Sequence, residues 1–158
     1  MLTYLVVGAG YRAAFYGRIA RRYPALFRAV YLCRSEEKAA LMRARTGAEA
    51  VTSVAAAEAT RPDFVVVAVN KASIAAVTLD WARRGWPVLA ETPAGATAAD
   101  LALLREEYGR GARIAVSEQY CRYPIIAAGL RAVCAGRLGE TQTAYLSLCH
   151  DYHAASLL

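Results

Sequence analysis

A doubly wound α/β fold with a parallel sheet is predicted by three features of the sequence. Short apolar runs alternate with amphipathic segments, one of those runs is continuously apolar and β-branched, and the first run enters a glycine turn that opens directly into a helix. The first strand is expected over 2–7 and its helix over 11–22, followed by a strand at 28–33 and a helix at 36–46. A third strand is expected at 49–52. The run from Asp63 to Val69 is expected to be the central strand, because a strand covered by helices on both faces carries apolar residues without alternation. A helix at 72–85, a strand at 87–90, a helix at 97–110 and a strand at 112–117 complete the repeat.

Beyond the sixth strand the pattern changes. A helical segment runs from Pro124 to about Gly136, and Glu140–Cys149 alternates like a strand with two unlike faces. This predicts a first domain over 1–122, then a linker helix and the opening elements of an α+β domain over 123–158. The chain stops at Leu158 inside an apparent helix start without a terminating signal. The second domain is therefore expected to be incomplete, and the chain to bind its cofactor weakly and show no turnover alone.

The 158 residues match one domain in length and are 57% hydrophobic, enough for a substantial core. No apolar run approaches the roughly 20 residues a membrane helix needs, and the N-terminus enters a strand without secretory-signal features. A cytoplasmic protein without membrane association is expected. The four cysteines are widely spaced and read as reduced thiols, with neither a disulfide framework nor a metal cluster implied. The net charge of +6 comes mostly from arginines scattered along helices, which argues against a nucleic-acid surface and is compatible with an anionic small molecule.

The turn Gly8-Ala9-Gly10-Tyr11-Arg12-Ala13 carries the most chemistry. Gly8 permits the tight turn, Gly10 lets backbone approach a pyrophosphate, and Ala13 takes the place of a third glycine where helix meets strand. The helix that follows presents unpaired N–H groups to the anion, with Tyr11 and Arg12 in its first turn. About 20 residues further on, a site for NAD presents a carboxylate to the ribose hydroxyls. Here the second strand ends in Cys33-Arg34-Ser35. Arg34 and Ser35 suit a 2′-phosphate through a charged fork and a hydroxyl, which favours NADP with NAD possible.

The glycine turn and the segment Arg83-Arg-Gly-Trp-Pro-Val-Leu-Ala-Glu91-Thr92-Pro93 together resemble the Gfo/Idh/MocA oxidoreductases, in which a Rossmann domain precedes an α+β domain with a large open sheet. The second segment is similar to that family's A-G-K-H-V-L-x-E-K-P. The resemblance implies that Glu91 and Thr92 shape the nicotinamide pocket. It also implies that Thr92 stands where a lysine normally serves proton transfer; a loop start at Thr92-Pro93 explains the same residues equally well. The family's T-P-x-x-x-H pattern is replaced by Val69-Asn70-Lys71-Ala-Ser-Ile74. Asn70 and Lys71 still fall at the carboxyl edge of the central strand, where open α/β sheets bind ligands. Lys71 either supplies the lost cation or is a solvated helix-start residue.

The same resemblance aligns His153 with the family's catalytic histidine and leaves His150 as a reserve; structural hydrogen bonding accounts for such a pair equally well. Cys149 and Ser156 then occupy positions where the family carries acidic residues. Gln119 and Arg122, after the sixth strand, fall where family members face cofactor and substrate, with Tyr120 either lining the ligand or packing at a domain junction. No third ligand accompanies His150 and His153 at recognisable spacing, so no metal is expected. The expected activity is hydride transfer between NAD(P) and a small polar carbonyl, imine or alcohol in a homo-oligomer. The alternative is a cofactor-binding sensor without turnover, because binding and chemistry separate readily on one fold.

Overall fold

The computed structural model describes residues 1–145, 153, 154 and 157, which fall in two compact units, Met1–Val116 and Ser117–Leu158. The first unit contains β1 (Leu2–Val7), α1 (Tyr11–Arg22), β2 (Phe27–Leu32), α2 (Glu36–Thr46), β3 (Glu49–Val51), α3 (Val54–Ala59), β4 (Phe64–Val67), α4 (Ile74–Arg83), β5 (Val88–Ala90), α5 (Ala98–Gly109) and β6 (Ile114–Val116). All six strands are parallel, in the order β3-β2-β1-β4-β5-β6. The order reverses direction between β1 and β4, which opens a crevice at the carboxyl ends of the strands.

Alternation along the strands sends neighbouring side chains into two cores. Tyr4, Val6, Ala29, Tyr31 and Val66 share one core with Ala13 and Ala14 of α1 and Ala39 and Met42 of α2. Leu5, Val30, Val65 and Val67 share the other with Ala57 of α3 and Ile74, Trp81 and Ala82 of α4. Val65, Val66 and Val67 are fully buried, as the β-branched run requires of a strand covered on both faces. At roughly 1.5–3 kcal/mol per buried valine side chain, β4 is one of the principal anchors of the sheet.

Local signals set the helix ends. Ser35 caps α2 by accepting from Lys38 N–H, and Gly47 closes it in the left-handed conformation. Thr97 and Asp100 form a reciprocal capping box on α5. Strand and helix bounds shift by one or two residues from the sequence expectation, β6 for example running only from Ile114 to Val116, and two differences have a clear local cause. Helix α3 was not predicted, because six alanine-rich residues carry no apolar periodicity; Ser53, which accepts from Ala56 N–H, is its one local signal. The central strand ends at Val67, two residues early, and α4 starts only at Ile74, because Asn70 folds the intervening residues into a turn. The Asn70 side chain accepts from Ser73 N–H at 3.1 Å and from Ser73 Oγ at 2.7 Å.

The second unit contains a short 3₁₀ helix, Tyr120–Arg122, and α6, Pro124–Cys134, with proline at its first position. Of the strand expected over 140–149, residues 140–145 form none, and the remainder lies outside the described residues. Among the described residues no helix is long and apolar enough to cross a membrane.

Candidate functional site

Gly8 joins β1 to the turn at φ +131°, a conformation that L side chains rarely adopt. A Cβ there would lie 2.3 Å from the Ala68 carbonyl oxygen. Its absence lets the turn press against the end of β4. Gly10 is the N-cap of α1 and has no side chain to satisfy the helix's first N–H groups. A Cβ on Gly10 would meet nothing within 4 Å, and α1 carries no acidic residue in its first turn. These groups therefore face open space with the positive end of a 12-residue helix behind them.

That space is a cleft of about 790 Å³ at the carboxyl ends of β1, β2 and β4. Gly8, Gly10, Tyr11, Arg12, Arg34 and Asn70 of the expected residues line it, together with Lys38, Thr52 and Ser73, which sequence reasoning did not single out. Among the described residues, none of those lining it is acidic. Lys38 had a sequence signal, since it falls one turn beyond Arg34 at the start of a capped helix. Cys33, also on the lining, is 2% exposed, and burial pushes its thiol above the usual range, outweighing the opposing effect of Arg43. It presents a neutral thiol where a ribose-binding carboxylate would stand.

The other expected residues occupy different surroundings. Ala13 is fully buried beneath the turn, which matches the need for a small residue there. The Ser35 side chain caps α2 and does not line the cleft. Lys71 is exposed in the turn before α4 and is also outside the cleft lining. Thr92 is partly buried and precedes Pro93 through a cis peptide bond. Glu91 is 6% exposed and fully engaged: Arg12 Nη2 lies 3.1 Å and Nε 3.2 Å from Oε2, and Tyr16 Oη donates to Oε1 at 2.6 Å. The carboxylate at the end of β5 thus holds a guanidinium at the rim of the cleft.

In the second unit, Gln119 is the N-cap of the 3₁₀ helix and its carbonyl accepts from Arg122 N–H. His153 is 6% exposed, with Nδ1 2.6 Å from Glu118 Oε2 and its ring 4.5 Å from that of Tyr120. Tyr120 N–H donates to the other carboxylate oxygen at 2.9 Å. Burial works to raise the Glu118 carboxyl, but the Tyr120 N–H and His153 together hold it below the usual range. Glu118 was not singled out from the sequence, because 35 residues separate it from His153 and no spacing rule links them. His150, Cys149 and Ser156 lie outside the described residues. Among the described residues no group of three or more His, Cys, Asp or Glu could hold a metal ion.

A family model described as an oxidoreductase family with an NAD-binding Rossmann fold matches residues 2–117, from the first strand through the end of the sixth. The chain belongs to the Gfo/Idh/MocA family. Solved structures agree on the fold. The WlbA dehydrogenase from Bordetella pertussis, in complex with NADH and UDP-GlcNAcA, is similar with a TM-score of 0.76 at 20% identity, over 88% of this chain and 44% of that one. An NAD binding oxidoreductase from Klebsiella pneumoniae gives 0.75 at 17% identity, over 88% and 40%. A myo-inositol dehydrogenase from Corynebacterium glutamicum gives 0.71 at 22% identity, over 89% and 43%. At these identities the likeness establishes the fold, and this Gfo/Idh/MocA chain spans about two fifths of the length of those structures. No curated protein sequence matches it.

Proposed function

We propose that the cleft of this Gfo/Idh/MocA chain binds NADP and that the protein is an oxidoreductase acting on a small polar carbonyl, imine or alcohol. The reading rests on one observation: the uncapped N-terminus of α1 opens on a cleft with Arg34 and Lys38 on its lining and, among the described residues, no carboxylate. A dinucleotide pyrophosphate fits that cradle, because the bare N–H groups and helix dipole complement its charge and Gly10 leaves it room. At the end of β2, Arg34 and Lys38 would hold a 2′-phosphate, Arg34 by its fork and Lys38 as a point charge. Cys33 cannot replace the paired ribose contacts of a carboxylate.

When bound, the nicotinamide gives or takes the hydride. Glu91 acts through Arg12, fixing its guanidinium at the rim of the cleft, while Thr92 offers a hydroxyl but no charge where the family carries lysine. His153 is the proton-transfer group, with His150 and Lys71 as reserves. A cytoplasmic homo-oligomer acting on a small-molecule substrate completes the reading.

Titration of NADPH and NADH against the wild type and Arg34→Ala tests it. Charge-assisted contacts worth roughly 1.5–3 kcal/mol predict an NADPH affinity about 10–150-fold weaker in the variant, with NADH little changed. Equal losses for both cofactors, or a wild type that prefers NADH, overturn the NADP assignment.

A further inference from the structure

We infer that Arg12 holds the second phosphate of the dinucleotide, the one on its nicotinamide side, and that Glu91 and Phe15 fix the guanidinium for that contact. The inference rests on the reading of the cleft as a dinucleotide site and adds to it a cation separate from Arg34 and Lys38. Arg12 is the second residue of α1, beside the bare N–H groups of the helix start, and its side chain lines the cleft and is 53% exposed. Glu91 takes one edge of the guanidinium, with Nε 3.2 Å and Nη2 3.1 Å from Oε2. That carboxylate is itself held, since Tyr16 Oη donates to Oε1 at 2.6 Å. The guanidinium carbon also lies 5.7 Å from the centre of the Phe15 ring, within cation–π range.

A guanidinium presents its N–H donors in a planar fork. The Glu91 contacts use Nε and Nη2, and among the described residues Nη1 makes no hydrogen bond. One charged edge is therefore left for an anion, on a side chain whose rotamer is already set from two sides. Strand order decides which anion. Across the sheet the strands run β2-β1-β4-β5, so Arg34 and Lys38 after β2, and Arg12 tied to the end of β5, lie on opposite sides of the glycine turn that follows β1. The phosphates of NADP follow the same order. Its 2′-phosphate falls on the β2 side, its adenosine-side phosphate at the N–H groups above the turn, and its nicotinamide-side phosphate toward β4 and β5. An arginine fork matches phosphate geometry, and one already fixed loses little further freedom on binding.

Isothermal titration with two fragments of the cofactor tests the contact. 2′-Phospho-ADP-ribose carries both phosphates of the pyrophosphate, whereas adenosine 2′,5′-bisphosphate lacks the nicotinamide-side one. Arg12→Gln removes the charge and should weaken 2′-phospho-ADP-ribose and NADPH about tenfold or more, the loss of one charge-assisted contact, while leaving adenosine 2′,5′-bisphosphate unchanged. A merely structural role for Arg12 moves all three ligands together. If Arg12→Gln does not fold, Arg12→Gln combined with Glu91→Gln, which strands no buried charge, makes the same comparison. Equal losses for all three ligands, or no loss for 2′-phospho-ADP-ribose in a folded variant, overturn the inference. Arg34→Ala judges the underlying reading separately. It should weaken adenosine 2′,5′-bisphosphate, and no change there overturns the 2′-phosphate assignment while leaving the Arg12 result standing. A wild type that binds neither fragment nor NADPH overturns both.

Discussion

The Tyr31 hydroxyl accepts a hydrogen bond from Gly17 N–H at 2.8 Å, and it donates to the Ala13 carbonyl at 2.9 Å. Ala13 and Gly17 are the i and i+4 partners of an ordinary helical rung, so a side chain from β2 bridges the backbone of α1 just beyond the cofactor cradle. The contact fixes the helix whose N-terminus opens on the cleft to the strand that leads into Arg34.

Gly17→Ala should therefore behave opposite to the usual helix substitution. Replacing a helical glycine by alanine ordinarily stabilises by about 0.5–1 kcal/mol. Here the new Cβ would lie 2.4 Å from Tyr31 Oη and 2.7 Å from Thr46 Cβ, and Thr46 is itself buried. We expect a loss of about 1–3 kcal/mol, the range for overpacking, read as a lower urea midpoint. A midpoint at or above wild type would show that the helix and Tyr31 part freely.

Alkaline stability follows from Tyr4, whose hydroxyl is pushed up to about 12 by burial, with Tyr31 nearby adding to the effect. The folded chain keeps the proton that the unfolded chain releases near pH 10, so above that value the unfolded state binds fewer protons and stability falls. The stabilisation is complete below about pH 10 and lost progressively up to about pH 12, on the order of 3 kcal/mol in all. Tyr31, also raised chiefly by burial, acts in the same direction. Urea midpoints measured from pH 8 to pH 11 should fall more steeply for wild type than for Tyr4→Phe, and parallel slopes would refute the assignment.

The Arg12 and Glu91 pair links the glycine turn to β5 across 79 positions. Arg12→Ala would leave the Glu91 carboxylate buried with, among the described residues, Tyr16 as its remaining side-chain hydrogen-bond partner. Breaking a fully buried pair costs about 3–5 kcal/mol, but the Arg12 side chain is 53% exposed and solvent screens it. A loss of about 1–2 kcal/mol is expected, with NADPH affinity lowered as well. Glu91→Gln, which removes the stranded charge, should recover most of the stability in the double variant; additive losses in the two single variants would argue against coupling.

The parallel α/β repeat was legible because apolar strand runs and the glycine turn leave local traces. The apolar run at β4 and the glycine turn before α1 each announce themselves within a few residues, whereas Ser35, read as a phosphate contact, caps α2. Helix α3 carried no such trace, since alanines signal neither face. The pairing of Glu118 with His153 was also silent, because a contact between distant segments is written in tertiary geometry and not in spacing. The cleft was half legible: Gly8, Gly10 and Arg34 follow from the motif and its offset, whereas Thr52 and Ser73 reach it only because β3 ends beside β2 and the Asn70 turn follows β4.

The two glycines of the turn should separate folding from binding. At Gly8 a side chain meets both an unfavourable φ and the Ala68 carbonyl 2.3 Å away, a backbone atom that cannot retreat without shifting β4. Strained backbone costs about 1–3 kcal/mol, and the clash adds to it, so Gly8→Ala should lower the urea midpoint sharply and abolish NADPH binding with it. Gly10 has φ −84° and open space around its missing Cβ, which alanine accepts without strain. Gly10→Ala should keep its stability within about 0.5 kcal/mol of wild type. Its methyl group, however, would occupy the space proposed for the pyrophosphate at the helix N-terminus, and NADPH affinity should fall at least about tenfold, or 1.4 kcal/mol. Denaturation and cofactor titration on the same two variants decide the matter. A Gly10→Ala protein that binds NADPH as tightly as wild type would show that the phosphates lie elsewhere than at the head of α1.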